Sequence, residues 1–287
     1  MAVYRRGYHR YQGRITGHWT RFMVLPRFAW RRLFQQRLVV LLTVAAMIWP
    51  LLCACFIYLT NHAELLKGLF GREFETFIEA NGNFFMVFMN VQAAFATFLA
   101  ALIGPGLIAP DLANNALPLY FSRPLTRSDY TWARLIVLFG MLSLITWIPG
   151  LLLFGMQVGM AGASWFRANW TIGSAIVAGF AIWVLLVSMV ALASSAYVRW
   201  RVVAGALILG FFFILSGVSV MINGVFRVTW GHALNPAWAA NRLWCEMLSV
   251  EPPTGPGVTA CASVLAAIIL LLVLVLERKL RPVEVIT

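Results

Sequence analysis

Six stretches of the chain contain no charged residue, and each is long enough to cross a bilayer: residues 38–60, 84–108, 135–158, 172–198, 202–222 and 258–276. At about 1.5 Å of rise per residue, some 20 apolar residues span a hydrocarbon core of roughly 30 Å, where backbone N–H and C=O groups find no water. A helix satisfies those groups within its own segment, so the pattern predicts an all-α integral membrane protein with six transmembrane helices within residues 38–276. Only 11% of the 287 residues are charged and 61% are hydrophobic, with a mean hydropathy of +0.83. A soluble domain carries about 25% charged residues, which excludes that class. The first run begins too far along the chain, and is too long, for a cleavable signal, so it is expected to stay in the membrane.

The basic residues give an orientation. Of 22 Lys and Arg, 17 lie in residues 1–37, 109–134, 199–201 and 277–287, and 5 in the other three connections. Basic connections stay on the cytoplasmic side, which predicts a multi-pass protein of the cell inner (plasma) membrane with both termini and the 109–134 loop inside. The net charge of +12 is then a topology signal with membrane lipids as partners. No nucleic-acid partner is expected, because the Arg residues flank a span and no recognition fold is visible. Residues 1–24 read as a basic cytoplasmic tail, and residues 277–287 as another. Residues 25–37 read as an interfacial amphipathic helix, with Ala29, Trp30, Leu33 and Phe34 on one side, Arg27, Arg31, Arg32, Gln35 and Gln36 on the other, and Pro26 in its first turn. An ordinary basic flank with one Trp anchor is the plainer alternative.

Polar residues inside the runs are few. Asn90 and Gln92 in the second run, with Ser216 and Ser219 in the fifth, are candidates for a substrate path, and interhelical hydrogen bonding is the plainer role. Pro50 and Pro149 should bend their helices. Residues 61–83 read as an acidic outer loop with a short helix, and Trp230, Trp238 and Trp244 as short outer helices dipping into the interface. No Asp, Glu, Lys, Arg or His lies inside a run, which weighs against ion-coupled carriers. Cys53, Cys55, Cys245 and Cys261 lack metal-ligand spacing, so no metal site is expected, while a Cys245–Cys261 disulfide on the outer side is chemically allowed. The chain has no Gly-x-x-x-x-Gly-Lys-Ser loop, so any ATP must be bound by another chain.

Residues 109–134 form the most structured polar connection. Asp111 can cap a short helix running through Ala116 or Leu117 and limited by Pro118; Ser122-Arg123-Pro124 is extended, and Thr126 with Asp129 caps the next helix. The run Asp111, Asn115-Ala116-Leu117, Leu119, Ser122-Arg123-Pro124-Leu125-Thr126-Arg127, Tyr130 and Arg134 resembles the cytoplasmic segment between the second and third spans of ABC type-2 (ABC-2) permeases. It departs from that family at Asn115, where Gly is usual, at Pro118, and at Arg134, where Lys is usual. The resemblance implies a permease subunit of an ATP-binding-cassette exporter, acting as a homodimer with a separate ATPase chain that binds ATP and Mg. It implies a coupling helix contacting that ATPase through Asp111, Asn114, Asn115, Ser122, Arg123 and Arg127, and an amino-terminal elbow helix bearing Arg27, Trp30, Arg31 and Phe34. It also implies re-entrant helices between spans 5 and 6, and neither a cofactor nor a catalytic group in this chain. The alternative is an integral membrane lipid-modifying enzyme of the prenyl or phosphoalcohol transferase type. Such enzymes hold a pyrophosphate through metal-binding carboxylate clusters, and the inner side here offers only Asp111, Asp129, Glu277 and Glu284.

Overall fold

The computed structural model describes residues 18–62, 80–114, 127–198 and 200–279. The expected basic tails, the acidic outer helix and residues 115–126 therefore lie wholly or largely outside the described residues. Those described form helices and contain no strand. The helices are α1 (His18–Phe34), α2 (Arg37–Asn61), α3 (Gly82–Ile103), α4 (Ala109–Ala113), α5 (Arg127–Ile145), α6 (Trp147–Tyr197), α7 (Arg201–Phe226), α8 (Pro236–Met247) and α9 (Val258–Lys279). Two 3-10 turns, Gly104–Gly106 and Trp230–Leu234, follow α3 and precede α8.

Five helical stretches are long and apolar enough to cross a membrane: Arg37–Asn61, Gly82–Asp111, Asp129–Tyr197, Arg201–Phe226 and Val258–Lys279. The third and fourth apolar runs fall together in the 69-residue stretch Asp129–Tyr197. Drawn straight, that stretch would be about 100 Å long, some three times the hydrocarbon thickness. It breaks instead at Thr146 (φ −107°, ψ −96°) and again at Gly162 (φ 86°, ψ 178°) and Asn169. Beyond Gly162 the chain doubles back, so that Gly150 lies against Ile176 and Gly173 against the Phe154 ring. The two arms of α6 are thus antiparallel.

The core sits between these arms, α3 and α5. Phe85, Phe88, Met89, Leu138, Leu142, Phe180, Val184 and Val187 are fully buried there, and Phe88 meets Phe180 edge-on at 6.2 Å. Around it stand α2, α7 and α9, which present Leu41, Leu51, Phe213, Val220 and Leu270 outward. So much exposed apolar surface suits a lipid surround, since soluble monomers rarely show patches of this extent.

The two predicted proline bends share one repair. Pro50 and Pro149 have no N–H, so the carbonyls four residues earlier, Ala46 O and Ile145 O, lose their helical donors. Gln92 of α3 is fully buried and donates through Nε2 to both, at 3.0 Å to Ala46 O and in a shorter bond to Ile145 O. One amide thereby joins α2, α3 and α5 at the two carbonyls left without a donor, and α2 runs through Pro50 as one helix.

The segment before α9 is more deeply packed than three interfacial Trp residues would require. Asn235 caps α8, its Oδ1 accepting from Ala237 N and Trp238 N, with Pro236 at the first helical position. Trp230 is exposed and Trp238 stacks on His232 at 5.0 Å, whereas Trp244 is buried against Phe180 and Trp183. Gly179 makes room for it, because a Cβ there would stand 2.8 Å from the Trp244 ring. Trp244 is thus a core residue rather than part of an interfacial belt. All four Cys are free, so the allowed Cys245–Cys261 bridge is not formed, and burial raises the Cys245 thiol above its usual range.

Candidate functional site

At one end of the bundle α3 gives way to the Gly104–Gly106 turn, and Gly104 lies against Ala191 of α6 so tightly that a Cβ would stand 2.8 Å away. The amides that open the next helix have no helical acceptor. Ser195 of α6, fully buried, supplies one: its Oγ accepts from Ile108 N at 3.2 Å and Ala109 N at 3.0 Å. Among the described residues α4 then runs for five residues and carries Asp111 as its third.

Asp111 does not cap the helix as expected; its carboxylate turns to α5. There Oδ2 accepts from Tyr130 Oη at 2.7 Å and from Arg134 Nη2 at 2.5 Å. Tyr130 and Arg134 are four residues apart and so share one helix face, with the guanidinium 5.0 Å from the centre of the Tyr130 ring. The Asp111 and Arg134 side chains are only 17% and 11% exposed, so water and salt screen this pair less than a surface pair. The arrangement is a knot: α4 is tied to α5 by a charged, hydrogen-bonded triad and to α6 by Ser195.

Asn114 follows α4, exposed, with its N–H on Pro110 O. Asn115, Ser122 and Arg123 lie outside the described residues, and Arg127 opens α5 with its side chain outside them too. The residues expected on the amino-terminal interfacial helix lie on α1. Helix α1 starts at His18, so Pro26 is inside it rather than in its first turn. Phe22, Pro26 and Leu33 are buried, Trp30 donates its indole N–H to Val137 O at 3.1 Å and lies on Gly140, and Arg27, Arg31 and Phe34 are exposed. Between α1 and the knot lies a cavity of about 180 Å³ that reaches Arg32, Asp111, Arg134 and Arg201.

The path candidates have different surroundings. Gln92 serves the two carbonyls that the prolines leave without donors. Asn90 accepts from Asn241 Nδ2 at 2.9 Å, and Ser216 Oγ accepts from Asn235 Nδ2 at 3.1 Å, so both hold the α8 segment. Ser219 is buried on α7, and its Oγ has no partner among the described residues. Among the described residues no group of three His, Cys, Asp or Glu could hold a metal ion.

The sequence alone does not single out Ser195, nor does it pair Tyr130 and Arg134 with Asp111. The four-residue spacing of an aromatic donor and an Arg, behind a lone Asp, was the available signal for the triad. Ser195 had no comparable signal, because its acceptor role depends on where α6 ends relative to α4. No protein-family model matches the chain, and no curated protein matches it.

Proposed function

We propose that this chain is the permease subunit of an ATP-binding-cassette exporter, in which two copies with six crossings each work with a separate ATPase that holds ATP and Mg. Six crossings follow if each arm of the Asp129–Tyr197 hairpin counts as one. The termini and the α4 segment then lie in the cytoplasm by the distribution of Arg and Lys. The observation that carries the reading is the Asp111–Tyr130–Arg134 triad together with the Ser195 anchor. Motion imposed on α4 by a partner would pass to α5 through the triad and to α6 through Ser195, so it would reach the buried core without any ion gradient. The resemblance of residues 111–134 to ABC-2 permeases supports the same assignment.

The test is the Asp111→Ala/Arg123→Ala variant purified with its ATPase. Membrane insertion should persist, because both residues lie outside the apolar runs. Transport and transport-stimulated hydrolysis should fall together, since truncating one member of a hydrogen-bonded charge pair costs about 2–5 kcal/mol when it is desolvated. Normal association with normal coupled turnover would remove the assignment.

A further inference from the structure

The 180 Å³ cavity beside the triad has mixed walls. Phe28 and Leu33 of α1 supply apolar surface, while Arg32 of α1, Arg134 of α5 and Arg201 at the start of α7 line the same space as Asp111, its single acidic residue. Arg134 and Asp111 already neutralise each other. The remaining charge belongs to Arg32 and Arg201, both exposed and neither in an ion pair among the described residues. One water needs about 10–15 Å³ of such space, so the cavity has room enough for a phosphate and the carbons next to it.

Guanidinium groups are planar donors matched to phosphate oxygens, and they are less strongly hydrated than ammonium. A free inorganic anion would gain nothing from Phe28 and Leu33. A phosphate attached to an aliphatic body would use both kinds of wall, and the cavity sits at the end of helices whose outer faces are apolar. We propose that it binds the phosphate of an anionic phospholipid, with Arg32 and Arg201 as the ligating residues. The bound lipid bridges α1 and α7 beside the carboxylate that ties α4 to α5. This inference rests on the membrane reading of the chain and not on the ATPase partner, so failure of the coupling experiment leaves it standing.

Native mass spectrometry of the full chain in neutral detergent tests it, with phosphatidylglycerol, phosphatidylcholine and inorganic phosphate as probes. Phosphatidylglycerol should be retained and the other two should not. Arg32→Gln with Arg201→Gln should weaken its retention about twenty-five-fold, roughly fivefold for each charge, while Arg227→Gln, exposed at the far end of α7 and outside the cavity, should leave it unchanged. Equal retention of phosphatidylcholine, displacement of the lipid by inorganic phosphate, or a double variant that binds like the parent would each overturn the site. A measurement on the unmodified chain stands beside these: phosphatidylglycerol alone should raise the thermal unfolding midpoint, and no rise would equally overturn it.

Discussion

A buried primary amide in the middle of an apolar bundle must find acceptors for two N–H groups, and at Gln92 both acceptors are carbonyls that proline has stripped of their helical donors. Its Oε1 has no partner among the described residues, so the site uses the amide as a donor. Gln92→Leu keeps the approximate volume and leaves two buried carbonyls unpaired. It should lower stability by about 1–3 kcal/mol, read as the unfolding midpoint in detergent by circular dichroism. Gln92→Glu should not restore the loss, because a carboxyl buried there is held neutral and has one O–H to offer two carbonyls. The assignment also predicts rescue: combined with Pro50→Ala and Pro149→Ala, Gln92→Leu should lose much of its effect, since the helices then supply their own donors. A Gln92→Leu change with the same effect in both backgrounds would show that the amide does something else. The prolines and the inward-facing Gln were legible separately in the sequence. Their connection was not, because it depends on which level of α3 meets two prolines that are 99 residues apart in the chain.

Among the elements, the Asp129–Tyr197 stretch shows how little is needed to turn one helix into two arms. The apolar runs 135–158 and 172–198 were legible from hydropathy, but a loop was expected between them, and the structure keeps most of that connection helical. Its Met, Ala and Arg residues are good helix formers, and the turn falls on a glycine, Gly162, at φ 86°, ψ 178°, a conformation that residues with a side chain rarely adopt. Gly162→Ala should therefore cost about 1–3 kcal/mol although nothing lies within 4 Å of the added methyl. Gly159→Ala, equally open but helical, should be neutral or stabilising by up to about 1 kcal/mol. Equal unfolding midpoints for the two variants would show that the turn is made by other residues. The depth of α8 was illegible for a related reason. It is set by the absence of a side chain at Gly179, and a glycine in an apolar run announces a close approach without naming the partner.

At the scale of the whole molecule, the split of basic residues predicts that residues 1 and 287 share one membrane face; cysteine labelling that reports opposite faces would remove the six-crossing topology. The second question is how two copies would meet. Exposure alone does not answer it, since lipid tails are as apolar as Leu and an outward Leu is content in either surround. The share of the membrane-crossing window that is buried is 28% in Arg37–Asn61, 11% in Arg201–Phe226 and 17% in Val258–Lys279, so α2, α7 and α9 are all open to a partner and burial does not choose among them. Helix α7 also carries Gly210, Gly217 and Gly224 one heptad apart, and nothing stands within 4 Å of a Cβ placed at Gly217 or Gly224. Two such helices can approach until their backbones touch. Cysteines introduced at Leu51 and at Leu215 should then crosslink between protomers, whereas one at Leu270 on α9, 61% exposed and just as apolar, should not. Gly217→Leu supplies the control on mechanism. It enters open space in a single chain and should leave the unfolding midpoint of the monomer within about 0.5 kcal/mol of the parent, yet it should hold two α7 helices apart and sharply reduce the Leu215 crosslink. Crosslinking at Leu215 that is indifferent to Gly217→Leu, or equal crosslinking at Leu270, would place the contact between copies elsewhere.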